Sequence, residues 1–485
     1  MKVVLIIPSL ITDDISFLYK RFSPCELSLS VGYLAAILIQ SGIEVRVIDQ
    51  NAKKISNHAV SERIEIESPD IVGISCVTLA MGNILHLVKG IQALKKNIKV
   101  ILGNIHPTLF ADDLLKKGFA DIIVRGEGEN SLREVVKSLE GNGVLDGIKG
   151  ISFLKNDEVF HNPEREQIED LDALPYPAWN LFDFADYSGV ALMGIRELSL
   201  PIISSRGCLW KCKFCAKSAI FKNTKFRKIS KVVDEMEYMF SRYKIRVFNL
   251  HDAAFPISRE QAQEFCNEII SRGLNKYINW TSGARVDLLD EDLLILMKKS
   301  GLSTILYGIE SGSQKVLDSV NKNINLNKII QVIKITKKLG ISTYGNFILG
   351  FPGETKETCE ITIAFSKKLN CDISRFGIFV PYPGSQFFKE LKTRMKDNIY
   401  DYEKFDPQIE HNSRLLYVPE AMTENELINL QRKAILGFYL RPSFILSHLI
   451  KRTFRFKDLC YGILGLIIKG YKFFIYILKQ KIFNK

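Results

Sequence analysis

Twice along this chain, from Lys2 to Val124 and again from Pro201 to Val380, short apolar runs rich in β-branched residues alternate with stretches of helical period. A run followed each time by a helix-length segment returns to its neighbour as a parallel strand, so this alternation restricts the fold more than any other feature. The first set comprises Lys2 to Ile7, Glu44 to Asp49, Asp70 to Ser75, Lys99 to Leu102 and Asp121 to Val124, with helical patterns such as Val31 to Gln40 and Ile84 to Lys95 between them. It predicts an α/β, doubly wound parallel sheet of flavodoxin-like, Rossmann type. Its ligand is expected at the carboxyl ends of the strands, near Pro8, Asp49, Ser75, Gly103 and Arg125.

A hairpin pattern follows from Ile151 to His161, with a polar turn at Asn156 and Asp157. Asn162 to Tyr187, with Pro163, Pro175 and Pro177 and little periodicity, reads as a connection between domains. The second set of strands is Pro201 to Ser205, Arg246 to His251, Ile278 to Ser282, Thr304 to Gly308, Thr343 to Leu349 and Asp372 to Val380. It predicts six βα units curled into a partial parallel barrel, with the chemistry at the strand C-termini. Past Ala421 the pattern is all helical, with Glu424 to Phe438 amphipathic and a break at Arg441-Pro442. The expected organisation is residues 1–145 as the first sheet domain, 146–190 as hairpin and linker, 191–420 as the barrel and 421–485 as a basic helical region.

The 485 residues are 46% apolar and 25% charged, a globular composition. The net charge of +12 is concentrated, because from Arg441 to Lys485 ten basic residues stand against the single acid Asp458. The rest of the chain is close to neutral, which argues against a polyanion-binding surface and a nucleic-acid partner. Within the basic region Leu459 to Leu478 is apolar except for Lys469 and Lys472. On a helix these two and Lys479 fall within about 80° of arc. That is the pattern of a helix lying in a membrane interface with snorkelling lysines, the other reading being a terminal helix packed on the barrel. The nine cysteines show no disulfide framework, and the apolar run before Pro8 is too short for a signal segment. A cytosolic compartment, with peripheral contact to the inner face of a membrane, is expected.

The one cysteine cluster is SSRGCLWKCKFC, which sets Cys208, Cys212 and Cys215 in a CxxxCxxC spacing directly after a predicted strand. Thiolates select zinc, copper(I) or iron-sulfur clusters, and structural zinc normally needs a fourth ligand with its own paired spacing. The chain has no CxxC or HxxxH partner for this loop. Three thiolates suit a cubane cluster with one iron open to a substrate or cofactor. No GxSxG elbow, GxxxxGK[ST] loop or HExxH motif is present, so hydrolase, P-loop and zincin chemistry find no support.

This loop resembles that of the radical S-adenosylmethionine superfamily, with Cys208, Cys212 and Cys215 at the positions of the cluster ligands and Phe214 at the usual aromatic position. The resemblance continues in order through FNLHDAAF with Asp252, WTSGARVDLL with Arg285, YGIESGSQKVLDSVNK with Glu310 and Ser311, FILGFPGET with Ile348, Gly350 and Glu354, and VPYPGSQF. It implies a 4Fe-4S cluster whose open iron binds S-adenosylmethionine and cleaves it to a 5'-deoxyadenosyl radical. Phe214, Asp252, Arg285, Glu310, Ser311, Ile348 and Gly350 would line the S-adenosylmethionine site. One departure is Asn346, where the fifth-strand motif has glycine.

The N-terminal half is similar to the cobalamin-binding domain fused to many such enzymes, through LSVGYLAAIL, DIVGIS, ILGNIHPT and DIIVRGEGE. Small residues at the strand ends, Ser75, Gly103 and Gly126, would let a flat corrin approach the backbone. The DxHxxG loop that carries a cobalt-ligating histidine is missing, and His106 is not assigned that role. Of the other histidines only His251, beside Asp252 at a predicted strand end, is a candidate site residue.

Together these features predict a cobalamin-assisted radical enzyme that methylates an unactivated carbon of a hydrophobic metabolite. Oxidative cyclisation or rearrangement with the same cofactors is the alternative within the class, and a non-catalytic cobalamin- or cluster-dependent sensor the alternative outside it. The expected partners are a small, possible lipid-like substrate, an electron donor such as flavodoxin or ferredoxin, and a membrane surface for the tail.

Overall fold

A computed structural model describes residues 1–10, 25–94, 97–141, 143–187, 197–395, 405 and 415–450. Its first sheet is built from β1 (Lys2–Ile7), β2 (Glu44–Asp49), β3 (Ile71–Ser75), β4 (Lys99–Gly103), β5 (Ile122–Val124), β6 (Ile151–Lys155) and β7 (Glu158–His161). The spatial order is β2-β1-β3-β4-β5-β6-β7. The first five strands are parallel, and the chain reverses direction of winding between β1 and β3. This order creates a crevice at the strand C-termini.

β1 shows why a parallel sheet reads as a continuous apolar run. Val3 and Leu5 pack with the helices Leu29–Gln40 and Glu129–Glu140, whereas Val4 and Ile6 pack with Asn57–Glu67 and Met81–Ala93 on the opposite face. The predicted hairpin forms, with Asn156 and Asp157 both at positive φ (52° and 63°), as a tight hairpin turn requires. It does not sit in the connection, however. β6 pairs antiparallel with β5 and extends the first sheet.

The proline-rich stretch also differs from a simple tether. It runs through three short 3₁₀ turns, Leu171–Ala173, Trp179–Leu181 and Phe184–Asp186, and buries Leu171, Trp179, Phe182 and Tyr187. Gly32 of the first helix admits it, because a Cβ there would lie 2.8 Å from Pro177 Cβ. Tyr187 donates to Asp49 at 2.7 Å, and Lys53 pairs with Asp186 at 2.6 Å. Few apolar residues with no helical or alternating period can still be core when they plug a gap between layers.

The second sheet contains β8 (Ser199–Ile202), β11 (Val247–Leu250), β12 (Asn279–Ala284), β13 (Leu302–Glu310), β14 (Ser342–Leu349) and β15 (Ile373–Ile378). All five pairings are parallel and follow chain order, which is the open six-stranded barrel expected. Between β8 and β11, the two-residue strands β9 (Ser205–Arg206) and β10 (Lys225–Phe226) form a small antiparallel pair. Helix Glu424–Tyr439 covers the β15 edge, where Gln431 Nε2 donates to Phe376 O at 2.9 Å and Tyr439 OH to Ser374 O at 2.7 Å. Thr423 and Glu426 cap its start reciprocally. Pro442 opens the next helix, Pro442–Ile450. The basic apolar stretch Leu459 to Leu478 lies outside the described residues, and among those described no helix is long and apolar enough to cross a membrane.

Replacing the plugging indole tests whether the connection is part of the core. Trp179→Ala is expected to lower unfolding free energy by about 3–5 kcal/mol in chemical denaturation. A loss below about 1 kcal/mol would mark the segment as a detachable tether.

Candidate functional site

The cysteine loop leaves the barrel through a turn held by one buried carboxylate. Asp252, just past β11, accepts from the amides of Ser204 (2.8 Å) and Ser205 (2.9 Å) and from the Ser204 hydroxyl. Burial pushes its pKa up to about 6 against the pull of these donors. Both oxygens of Asp252 are thus engaged in fixing the backbone that enters the loop. Gly207, at φ +108°, makes the turn into it, and a Cβ there would stand 2.6 Å from Asn223 O.

Cys208, Cys212 and Cys215 are half-buried free thiols. Their backbone is pinned by Lys213 N donating to Val320 O (3.0 Å), Phe387 N donating to Lys213 O (3.1 Å) and Asn321 Nδ2 donating to Lys211 O (2.8 Å). Among the described residues no three ligand side chains stand in a closed metal-binding group, the three loop thiols included.

Two buried cations flank the loop. The Arg285 guanidinium, at the end of β12, lies 4.7 Å from the Trp210 ring centre, pairs with Asp287 and donates to Lys322 O at 2.8 Å. Lys322 Nζ lies 2.8 Å from Glu310 Oε1 and 6.0 Å from the Phe214 ring centre. Burial raises the pKa of the Cys212 thiol, while Lys322 and Arg285 oppose that rise by favouring thiolate. Gly308 is the residue that admits the ion pair, since its Cβ would fall 2.6 Å from Glu310 Oε1 and 2.8 Å from Lys322 Nζ. Glu310 ends β13 at φ +64°. The adjacent Ser311 is fully buried, with its hydroxyl 2.9 Å from that of Thr362 and accepting from Ser313 N at 3.1 Å.

At the end of β14, Gly350 (φ +88°) and Phe351 donate their amides to Glu354 Oε2 at 2.7 and 3.0 Å. A Cβ on Gly350 would meet Leu427 at 2.7 Å, so helix Glu424–Tyr439 presses directly on this turn. Ile348 packs against the same apolar cluster as Phe214, whose ring lies 5.4 Å from that of Phe351. Burial lifts the Glu354 carboxyl from 4.5 to about 7.

In the first domain, Ser75 ends β3 and accepts from Asn104 Nδ2 at 3.0 Å, and Gly103 ends β4. Gly126 lies beyond β5 at φ +73°, its amide donating to Thr108 Oγ1 at 3.0 Å. A Cβ on Gly103 would meet nothing closer than 3.7 Å, and one on Gly126 nothing within 4 Å. Packing within the protein does not demand glycine at 103, where a flat ligand against the strand end would; at 126 the positive φ already favours it, and the space beside it is open. His106 is completely buried beside Phe110, its Nδ1 3.2 Å from Thr78 Oγ1, and burial depresses its pKa to about 3. It is a neutral core imidazole.

The strand-end loops of the two sheets meet. Arg206 pairs with Glu127 (2.8 Å) and Glu129 (2.6 Å), and His251 Nε2 lies 3.0 Å from Glu26. A Cβ on Gly384, beyond β15, would lie 2.4 Å from Ala219 Cβ and 3.3 Å from Leu109. Sequence reading did not single out Lys322, Arg206, Glu127 or Glu129. Their partners lie 12 to 79 positions away, and only the repeated GEGE acids beside the expected corrin loop offered a local signal.

Residues 21–136 match the B12 binding domain, and residues 202–365 match the radical SAM superfamily. The chain belongs to the radical S-adenosylmethionine enzymes that carry a cobalamin-binding domain. It is 30% identical over 459 residues to an uncharacterized methyltransferase of Pyrococcus horikoshii, covering 93% of this chain and 95% of the relative. It is 31% identical over 423 residues, 86% and 74% of the two chains, to the anaerobic magnesium-protoporphyrin IX monomethyl ester cyclase of Rubrivivax gelatinosus. The fold is shared with the radical S-adenosylmethionine methyltransferase TsrM of Kitasatospora setae, solved with cobalamin and a 4Fe-4S cluster, at TM-score 0.66 and 18% identity over 81% and 78% of the chains. The cofactors of the enzyme are accordingly a 4Fe-4S cluster, S-adenosylmethionine and cobalamin. Three free thiols on one pinned loop and the open strand ends at Gly103 and Gly126 fit them.

Glu354 gives the site region a pH signature. Because its folded pKa lies above its unfolded value, the folded state binds more protons between pH 4.5 and about 7, and stability falls as pH rises through that window. Relative to wild type, Glu354→Gln is expected to gain on the order of 2 kcal/mol between pH 4.5 and 7 in urea denaturation. A constant difference across the window would refute the buried, proton-retaining carboxyl.

Proposed function

We propose that this enzyme methylates an unactivated carbon of a small hydrophobic molecule. The observation that carries this reading is the meeting of the two sets of strand-end loops, which turns the corrin-facing end of one sheet toward the cysteine loop of the other. When bound, the cluster with S-adenosylmethionine supplies a hydrogen-abstracting radical, and the corrin supplies a methyl group. Cys208, Cys212 and Cys215 would hold the cluster, with the Arg285 and Lys322 cations beside it favouring the thiolate form of Cys212. Phe214, Ile348 and Gly350 would form the apolar and backbone side of the S-adenosylmethionine site. Asp252 and Ser311 act at one remove, by fixing the turns that carry Cys208 and Glu310. Ser75, Gly103 and Gly126 would lie against the corrin.

Methylation is favoured over cyclisation because the methyltransferase of Pyrococcus horikoshii is matched over nearly its whole length, the cyclase over 74% of its own. Cyclisation with the same cofactors is the second reading, and a cluster-dependent sensor would have no need of the elaborated cradle. The electron would come from a flavodoxin or ferredoxin. The test is anaerobic reconstitution with cobalamin, followed by corrin quantitation and assay of 5'-deoxyadenosine after reduction. Stoichiometric corrin and 5'-deoxyadenosine are expected, with both cluster absorbance and 5'-deoxyadenosine lost in Cys212→Ala. Cleavage without any bound corrin would overturn the methylase reading, and 5'-deoxyadenosine from Cys212→Ala would overturn the ligand assignment.

The basic C-terminal region supports peripheral contact with an anionic membrane and a lipid-like substrate. Leu436, Leu440 and Leu446 are exposed on the two helices that lead to it. The full chain is expected to float with anionic liposomes and a truncation after Ile450 to remain in the soluble fraction. Equal behaviour of the two would remove the idea.

A further inference from the structure

The connection between the two halves is built around one guanidinium. Arg206 occupies the two-residue strand β9, two positions before Cys208. It reaches out of the barrel domain and places one nitrogen 2.8 Å from Glu127 Oε1 and the other 2.6 Å from Glu129 Oε1. Its guanidinium also sits 5.2 Å from the ring centre of the buried Tyr33, on helix Leu29–Gln40. All three charged side chains are nearly withdrawn from solvent, at 12%, 7% and 7% exposure. Burial works against the charge on Arg206, yet Glu129 and Glu127 outweigh it and hold its pKa above the ordinary value.

Glu127 follows Gly126 directly, and its second oxygen accepts from Ile168 N at 2.7 Å, in the stretch between the domains. From the corrin-facing glycine to the first cluster cysteine the path is therefore one peptide link, one charge-assisted contact and two further links. Each end of this path is stiff. Gly126 is held by Thr108, Gly128 would clash with Leu34 at 3.2 Å if it carried a Cβ, and Gly207 is locked against Asn223 and Thr224. A planar fork gripping two carboxylates fixes direction as well as distance, which a lysine ammonium does not.

We propose that Arg206, with Glu127 and Glu129, is the positioning element that sets the separation and orientation of the corrin relative to the iron-sulfur cluster. This rests on the cofactor assignment above and goes beyond it, since it concerns how the two cofactors are placed relative to each other and not what holds either one. The consequence is spectroscopic as well as catalytic. The unpaired electron of cob(II)alamin and that of the reduced cluster interact through space, and the interaction depends on their separation.

The test uses reconstituted full-length protein containing both cofactors. In the unmodified protein, reduction of the cluster is expected to accelerate relaxation of the cob(II)alamin signal in electron paramagnetic resonance. The triple variant Arg206→Met/Glu127→Gln/Glu129→Gln leaves no buried charge uncompensated and so avoids the main cause of misfolding. It is expected to keep its corrin and cluster content and to lose most of that relaxation enhancement. Arg206→Lys, which keeps the charge but not the fork, is expected to lose part of it. Enhancement unchanged in both variants at full cofactor content would overturn the proposal. Absence of either cofactor from the unmodified protein would overturn the functional reading itself, and the clamp with it.

Discussion

A buried guanidinium joins the two sheets at the place where their functional ends face each other. Without Arg206 the acids Glu127 and Glu129 would be two like charges in a nearly dry seam, and without them Arg206 would be an uncompensated cation. Such a contact is worth little as net stability, because desolvation cancels much of the attraction. Its value is that alternative arrangements of the two domains would leave three buried charges unpaired. The apolar plug of Trp179, Phe182 and Tyr187 supplies the cohesion that the polar contact directs.

The same division of labour recurs inside the barrel. Asp252, Ser311 and Glu354 spend their polar groups on backbone amides or a neighbouring hydroxyl, each at the end of a strand where the chain must leave the sheet in one direction. Burying these groups is tolerable because their hydrogen-bonding capacity is met locally. The cysteine loop is consequently anchored at its start by Asp252 and along its length by the 320–322 segment and Phe387. Loops that hold a cofactor need this support from rigid elements.

Around the loop two cations pull Cys212 toward the thiolate against the burial that raises its pKa. Arg285 approaches from the end of β12 and Lys322 from the turn after helix Gln314–Ser319, and neither is left unbalanced, since Asp287 and Glu310 complete the pairs. Gly308 is part of the same device, for a side chain there would occupy the space of the ion pair. At the strand ends of the first sheet Gly103 and Gly126 border open space, while His106 serves the core.

The two parallel sheets were legible in the chain alone, because hydrophobic period and helix-length spacing are local properties, whereas the order β2-β1-β3 emerged only from the fold. β1 and β2 begin and end where the apolar runs do, β3, β4 and β5 each differ from them by a single residue, and the hairpin of β6 and β7 keeps its expected ends. In the barrel β13 extends two residues beyond the expected run Thr304 to Gly308 at each end, where Leu302 and Ile309 are buried. The cluster loop was legible because its three thiols lie within eight residues. Tertiary structure alone decided that the hairpin joins the first sheet, that the proline-rich stretch is core, and that Asp252 anchors a turn. It also decided that Lys322 pairs with Glu310 and Arg206 with Glu127 and Glu129. Each of these depends on two segments meeting in space, and charge pairing across dozens of residues leaves no periodic trace in a single sequence.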